Sequence, residues 1–91
     1  MSFLKLGSKT KISVSGTAAA GTPPGTSGRY LLSSNTDMYI RFDAGTATAA
    51  NYDLFLPAGG MVLIEGFEGT TNAINAIRDS ADGILSISEV E

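Results

Sequence analysis

Two carboxylates, Asp43 and Asp53, flank a loop of small residues and could approach each other, as the acid pair of a glycoside hydrolase must. Neither lies in a recognisable motif, and carboxylates at strand edges are ordinarily solvated. The run Asp79-x-x-Asp82-Gly83 has the outline of a calcium loop, but the third position from Asp79 is Ala81 and the twelfth is Val90, where oxygen ligands are required. Turn formation accounts for these Asp and Gly residues. With no His and no Cys in the chain, a Ser or Thr nucleophile would need Lys or a carboxylate as its base. Lys5, Lys9 and Lys11 all sit in the leading segment, where nothing desolvates them. Neither Gly59-Gly60 nor the stretch from Gly66 to Gly69 precedes the Lys-Ser/Thr of a phosphate loop. Tyr39, Tyr52 and Phe55 could form a stacking platform on a sheet, although core or interface packing is the commoner use of such residues. The expectation is therefore a protein that is not an enzyme and uses no cofactor and no metal.

The charges point instead to contact. All nine acidic residues follow Thr36, whereas Lys5, Lys9, Lys11 and Arg29 precede Asp37. The leading part has net charge +4 and the remainder −7, for a total of −3. Such a head-to-tail distribution favours docking onto a charged surface or onto further copies of the chain. It does not favour nucleic acid, for which the basic residues are too few. Charged residues are 16% of the chain against a hydrophobic fraction of 43%, so part of the surface is expected to be apolar and covered by neighbours. A single domain of 91 residues is also small enough to need added stability, and without disulfides or thiolate metal sites oligomerisation or permanent docking remains. The start, MSFLKLGSKTK, has no apolar run of a signal peptide, and no stretch approaches a membrane span. A soluble chain made in the cytoplasm is expected.

These functional residues need elements to hold them. Residues 1–14 alternate, with Leu4, Leu6, Ile12 and Val14 on one face and Lys5, Lys9 and Lys11 on the other, which predicts an extended N-terminal arm or strand. Residues 15–28 (SGTAAAGTPPGTSG) have no charge and no large side chain, and read as a loop or linker. Residues 29–91 read as a β body. Segments 29–33 and 37–43 begin it, and in the second Met38, Ile40 and Phe42 oppose Asp37, Tyr39, Arg41 and Asp43. Segment 52–56 is followed by the turn Pro57-Ala58-Gly59-Gly60, with Pro at the first corner. Segment 61–67 (MVLIEGF) opens fully apolar and so reads as a central strand. Between residues 70 and 83 a helix is possible from the spacing of Ile74, Ile77 and Ala81, but a hairpin pairing 73–78 with 84–89 through Asp82-Gly83 is favoured. The fold class is all-β: a small β-sandwich or jelly-roll-like barrel of six to seven short strands with an extended N-terminal arm.

The body also resembles a loose group of small accessory virion proteins of tailed bacteriophages. The matching pieces are Ile40-Arg41-Phe42 before a Gly/Thr/Ala loop, Leu56-Pro57-Ala58-Gly59 before an apolar strand, and Ile74 to Ile77 with Gly83, Leu85 and Ile87 closing the chain. The resemblance covers about two thirds of the sequence. It implies a capsid decoration (cement) protein on the virion surface, a β-rich homo-oligomer with a trimer favoured, bound to the major capsid protein. Phe3, Leu4 and Leu6 are the expected anchors, with Lys5, Lys9 and Lys11 supplying charge complementarity. A host-glycan or receptor-binding virion domain, with Tyr39, Tyr52 and Asn51 as its candidates, is the second reading, and a tail or baseplate adaptor the third. If residues 1–14 are an arm, their deletion is expected to abolish capsid binding while the body stays folded; an unfolded remainder would make them a core strand.

Overall fold

In the computed structural model, residues 6–22, 28–42, 47–65 and 74–90 are described. Phe3, Leu4, Lys5 and Asp43 lie outside them. The described residues form eight strands and no helix: β1 (Leu6–Val14), β2 (Ala19–Gly21), β3 (Tyr30–Ser34), β4 (Met38–Arg41), β5 (Leu54–Leu56), β6 (Met61–Ile64), β7 (Ile74–Arg78) and β8 (Gly83–Val90). Alternation becomes burial along most of them. Met38 and Ile40 face inward and Tyr39 and Arg41 outward; Tyr30, Leu32 and Ser34 likewise alternate with Leu31 and Ser33.

The strands make two four-stranded antiparallel sheets, ordered β1-β8-β3-β6 and β2-β7-β4-β5. Their pairing is nested. The first strand pairs with the eighth, the second with the seventh, the third with the sixth and the fourth with the fifth. The β3–β8 and β4–β7 ladders then join these pairs into sheets. Ile12, Val14, Tyr30, Leu32, Leu85 and Ile87 of the first sheet pack against Met38, Ile40, Leu56, Ile74 and Ala76 of the second. A fully buried aliphatic side chain stabilises by about 1.5–3 kcal/mol, so this layer is the main source of stability. The radius of gyration, 12.2 Å, matches a compact domain of this length.

Several expectations change. There are eight strands rather than six to seven, because β2 forms in the Ala-rich part of segment 15–28, where no large side chain marks a strand. Of the segment read as an arm or strand, residues 6–14 form an edge strand hydrogen-bonded to β8, with Ile12 and Val14 in the core, and residues 1–5 lie outside the described residues. Segment 74–78 is a strand, but it does not form a hairpin with β8. It lies between β2 and β4, and β8 lies in the other sheet between β1 and β3. Residues 79–82 therefore cross between sheets. Most unexpectedly, the fully apolar β6 is an edge strand and not a central one.

Corners at one end of the sandwich are tied together. The backbone N–H of Ser34 donates to Gly60 O at 3.2 Å, and that of Gly59 donates to Ser34 O at 2.9 Å. Ser34 Oγ donates to Pro57 O at 2.8 Å, and Asp37 Oδ1 accepts from the Ala58 N–H at 2.7 Å. Within 57–60, Gly60 N–H closes the turn on Pro57 O, and Gly59 takes φ +77°. Pro57 thus precedes the first corner instead of occupying it, while Gly59 supplies the positive φ. Asn35 Oδ1 accepts from the Ile84 N–H at 2.7 Å, and Asp79 N–H donates to Asp37 O at 3.1 Å, which binds the β7–β8 corner to the same place.

Gly83 sits where this corner presses on β8. A methyl group there would run into Thr36 Oγ1 and Asn35 Oδ1. Gly83→Ala is expected to destabilise the domain by about 1–3 kcal/mol, as overpacking does; urea denaturation followed by circular dichroism measures it. Because β1 supplies Ile12 and Val14, deletion of residues 1–14 is expected to abolish cooperative thermal unfolding, and a remainder that melts as sharply as the full chain would contradict this placement.

Candidate interaction surface

The outer faces of the two sheets differ in chemistry. On the sheet β2-β7-β4-β5, register places Phe55, Tyr39 and Ile77 in one row across three strands, with Arg41, Asn75 and Ala20 in the next. Tyr52, just before β5, brings its ring to 4.8 Å from that of Tyr39, and Phe55 lies 5.2 Å away on the neighbouring strand. Interplanar angles of 56° and 57° are the tilted geometry that aromatic quadrupoles favour. Asp53 holds the approach: its N–H donates to Ile40 O, and its Oδ2 accepts from the Phe42 N–H at 2.8 Å. It has a structural part here.

Tyr39 is the middle of this cluster and is oriented at both ends. Its hydroxyl donates to Asp79 Oδ1 at 3.0 Å. That hydrogen bond favours the neutral phenol, and partial burial and the negative charge of Asp79 act in the same direction, with Tyr52 and Asp37 adding to them, so the hydroxyl ionises above the usual tyrosine range. Tyr52 and Phe55 stay 43% and 38% exposed beside this anchored ring. The patch can stack on a sugar ring or bury another protein's apolar side chain.

The sheet β1-β8-β3-β6 presents a gradient. One row across its outer face reads Lys9, Ser88, Leu31, Leu63, and the next Lys11, Ser86, Ser33, Met61. A cation edge thus gives way to a hydroxyl strip and then to an apolar edge, where Met61 is 65% exposed. An open cleft of about 240 Å³ is lined by Lys11, Ser33, Ser34, Asn35, Ile84 and Ser86. Of the expected anchors, Leu6, Lys9 and Lys11 lie on β1, and Leu6 is exposed. Leu6 is separated from the lysines by a bulge between Leu6 and Lys9.

Sequence reasoning brought Tyr39, Tyr52 and Phe55 forward as a platform, and the structure assembles them. It missed Met61, Leu63 and Ile84 as exposed groups; the apolar run of the first two signalled burial and only sheet order reveals their edge, whereas Ile84 points outward from the central β8. Asp79 and Asp82, considered as calcium ligands, are engaged elsewhere, the first by Tyr39 and the second by Arg78 at 2.5 Å. No group of three or more His, Cys, Asp or Glu is placed to hold a metal among the described residues. Comparison with protein-family models, curated proteins and solved structures gives no match.

The Tyr39–Asp79 bond makes a pH prediction. A group whose folded pKa is raised contributes stability that is complete below its unfolded pKa, near 10, and lost as pH rises through the folded value. Asp79→Ala is expected to move the Tyr39 phenolate transition to lower pH. An ultraviolet titration near 295 nm, compared with the Tyr39→Phe variant to identify the transition, checks this.

Proposed function

We propose that this chain is a structural virion protein, a capsid decoration or cement protein of a tailed bacteriophage that bridges neighbouring subunits of the major capsid protein. One observation carries the reading: large apolar side chains are exposed on both outer faces of a thin sandwich, Leu63, Met61 and Ile84 on one and Tyr52 and Phe55 on the other. A block with two contact faces is suited to lie between two neighbours. Exposed apolar groups on a chain with so few charges support adhesion by buried area. The nested pairing of eight strands supports a jelly roll as the finer description of the fold, an architecture common among viral capsid and lectin domains. Lys9 and Lys11 on the edge strand β1 would supply charge to a capsid surface together with Lys5, and Leu6 would act with Phe3 and Leu4 as an apolar anchor.

A second reading draws on the aromatic patch. Tyr39, Tyr52 and Phe55, with Asn51 and Asp79 near them in the chain or bonded to them, suit a glycan or receptor, as a host-binding virion domain would need.

Capsids lacking the protein are expected to rupture at lower temperature than capsids to which it is added back. The paired variant Tyr52→Ser and Phe55→Ser is expected to bind capsids at least about tenfold more weakly. Thermal release of packaged DNA measures the first effect and co-sedimentation the second. Unchanged capsid stability with reduced adsorption to host cells would favour the glycan reading instead.

A further inference from the structure

The two sheets have four edges, and three of them are blunted. β1 bears Lys9 and Lys11 and the bulge between Leu6 and Lys9. β2 has three residues. β5 also has three, bounded by Asp53 and Pro57. Charges, bulges, prolines and brevity are the ordinary means of stopping edge-to-edge pairing. β6, one residue longer than β2 and β5 and followed by Glu65, has no charge, bulge or proline within it. Its four residues, Met-Val-Leu-Ile, are uncharged, straight and apolar on both sides, and among the described residues β6 pairs only with β3.

Backbone polarity shows what this edge offers. Ser34 N–H donates to Gly60 O, and Val90 N–H donates to Arg29 O. The even-numbered residues of β3 therefore bond toward β6, and antiparallel alternation makes Leu32–Val62 and Tyr30–Ile64 the hydrogen-bonded pairs. The N–H and C=O groups of Met61 and Leu63 point away from β3. Val62 and Ile64 are only partly buried against the core, and Met61 and Leu63 project from the outer face. Among the described residues, both sides of the strand and its outward backbone groups are thus incompletely covered.

We infer that β6 pairs antiparallel with β6 of a second copy, across a two-fold axis at Val62, to form a continuous eight-stranded sheet. Met61 then faces Leu63 of the second copy, and the outward N–H and C=O groups of these two residues form reciprocal hydrogen bonds. A second copy fits for a reason of charge. In this register each Glu65 falls opposite Gly59 of the other copy, so no like charges meet, and Glu65 is already paired with Arg29 at 3.4 Å. The lysine edges become the two far ends of the joined sheet. A strand apolar on both faces is then central, which is what its residues specify. The pairing rests on strand chemistry and does not depend on the capsid reading; it also takes two copies rather than the trimer that the phage resemblance implies.

Sedimentation velocity on the purified full chain, from micromolar to several hundred micromolar (roughly the range over which weak dimers dissociate), tests it. A two-copy mass is expected, reduced to one copy by Met61→Lys with Leu63→Lys at unchanged circular dichroism. The chain has no Cys, so Val62→Cys is expected to form a disulfide-linked dimer under mild oxidation, whereas Ser13→Cys on β1 is not. Should the lysine variant fail to fold, hydrogen exchange on the unmodified chain decides: the Met61 and Leu63 amides are expected to exchange at least about tenfold more slowly in concentrated than in dilute samples. A one-copy or three-copy mass would overturn the inference. So would exchange at these two amides that is independent of concentration.

Discussion

Residues 34–37 hold the sandwich closed because they are where the chain leaves one sheet for the other and where two other crossings meet. A two-layer β fold buries one face of each sheet, and every crossing strands backbone groups that no ladder can satisfy. Here Ser34 uses its N–H, its carbonyl and its hydroxyl on the 57–60 turn. Asn35 and Asp37 reach the β7–β8 corner and the same turn. Three crossings thus satisfy one another. The exception is Thr36 Oγ1, buried with no hydrogen-bond partner among the described residues and pressed against Gly83. Close packing at this point takes precedence over satisfying one hydroxyl.

With the inner faces committed to each other, interaction chemistry is confined to the outer faces and the edges. On one outer face Tyr39 is fixed by its bond to Asp79, so that the rings of Tyr52 and Phe55 pack against an oriented partner and lose little freedom on contact. The other face runs from cations through hydroxyls to hydrocarbon. Lys9 and Lys11 occupy one edge strand of that sheet, and Glu65, which follows the strand at the opposite edge, is paired with Arg29.

Much of this was legible in the residues, and the limits have physical causes. The alternation of Met38 to Arg41 predicts a half-buried strand because side-chain direction depends only on the strand period. The all-β class and the Gly59 turn follow from equally local rules. The aromatic platform was readable because Tyr39, Tyr52 and Phe55 lie close in sequence. Pairing partners were not. Asp82-Gly83 has hairpin chemistry, yet β7 and β8 part into different sheets, β7 pairing with β2 and β4 and β8 with β1 and β3. β2 escaped notice because Ala and Gly pair by backbone alone and give no pattern.

The edge position of β6 is the most informative disagreement. Continuous hydrophobicity marks a strand covered on both faces, and the inference normally stops at a single chain. In this fold an isolated β6 satisfies that composition only in part, for its inner residues meet the core while Met61 is the most exposed of the large apolar side chains described. Solubility would favour a Lys or a Pro at such an edge, and the chain does place lysines at β1, where the same hazard exists. The contrast between a guarded β1 and an unguarded β6 is hard to reconcile with a strand meant to face water. It is what the inferred pairing of two copies requires, with β6 open and β1, β2 and β5 blunted among the described residues.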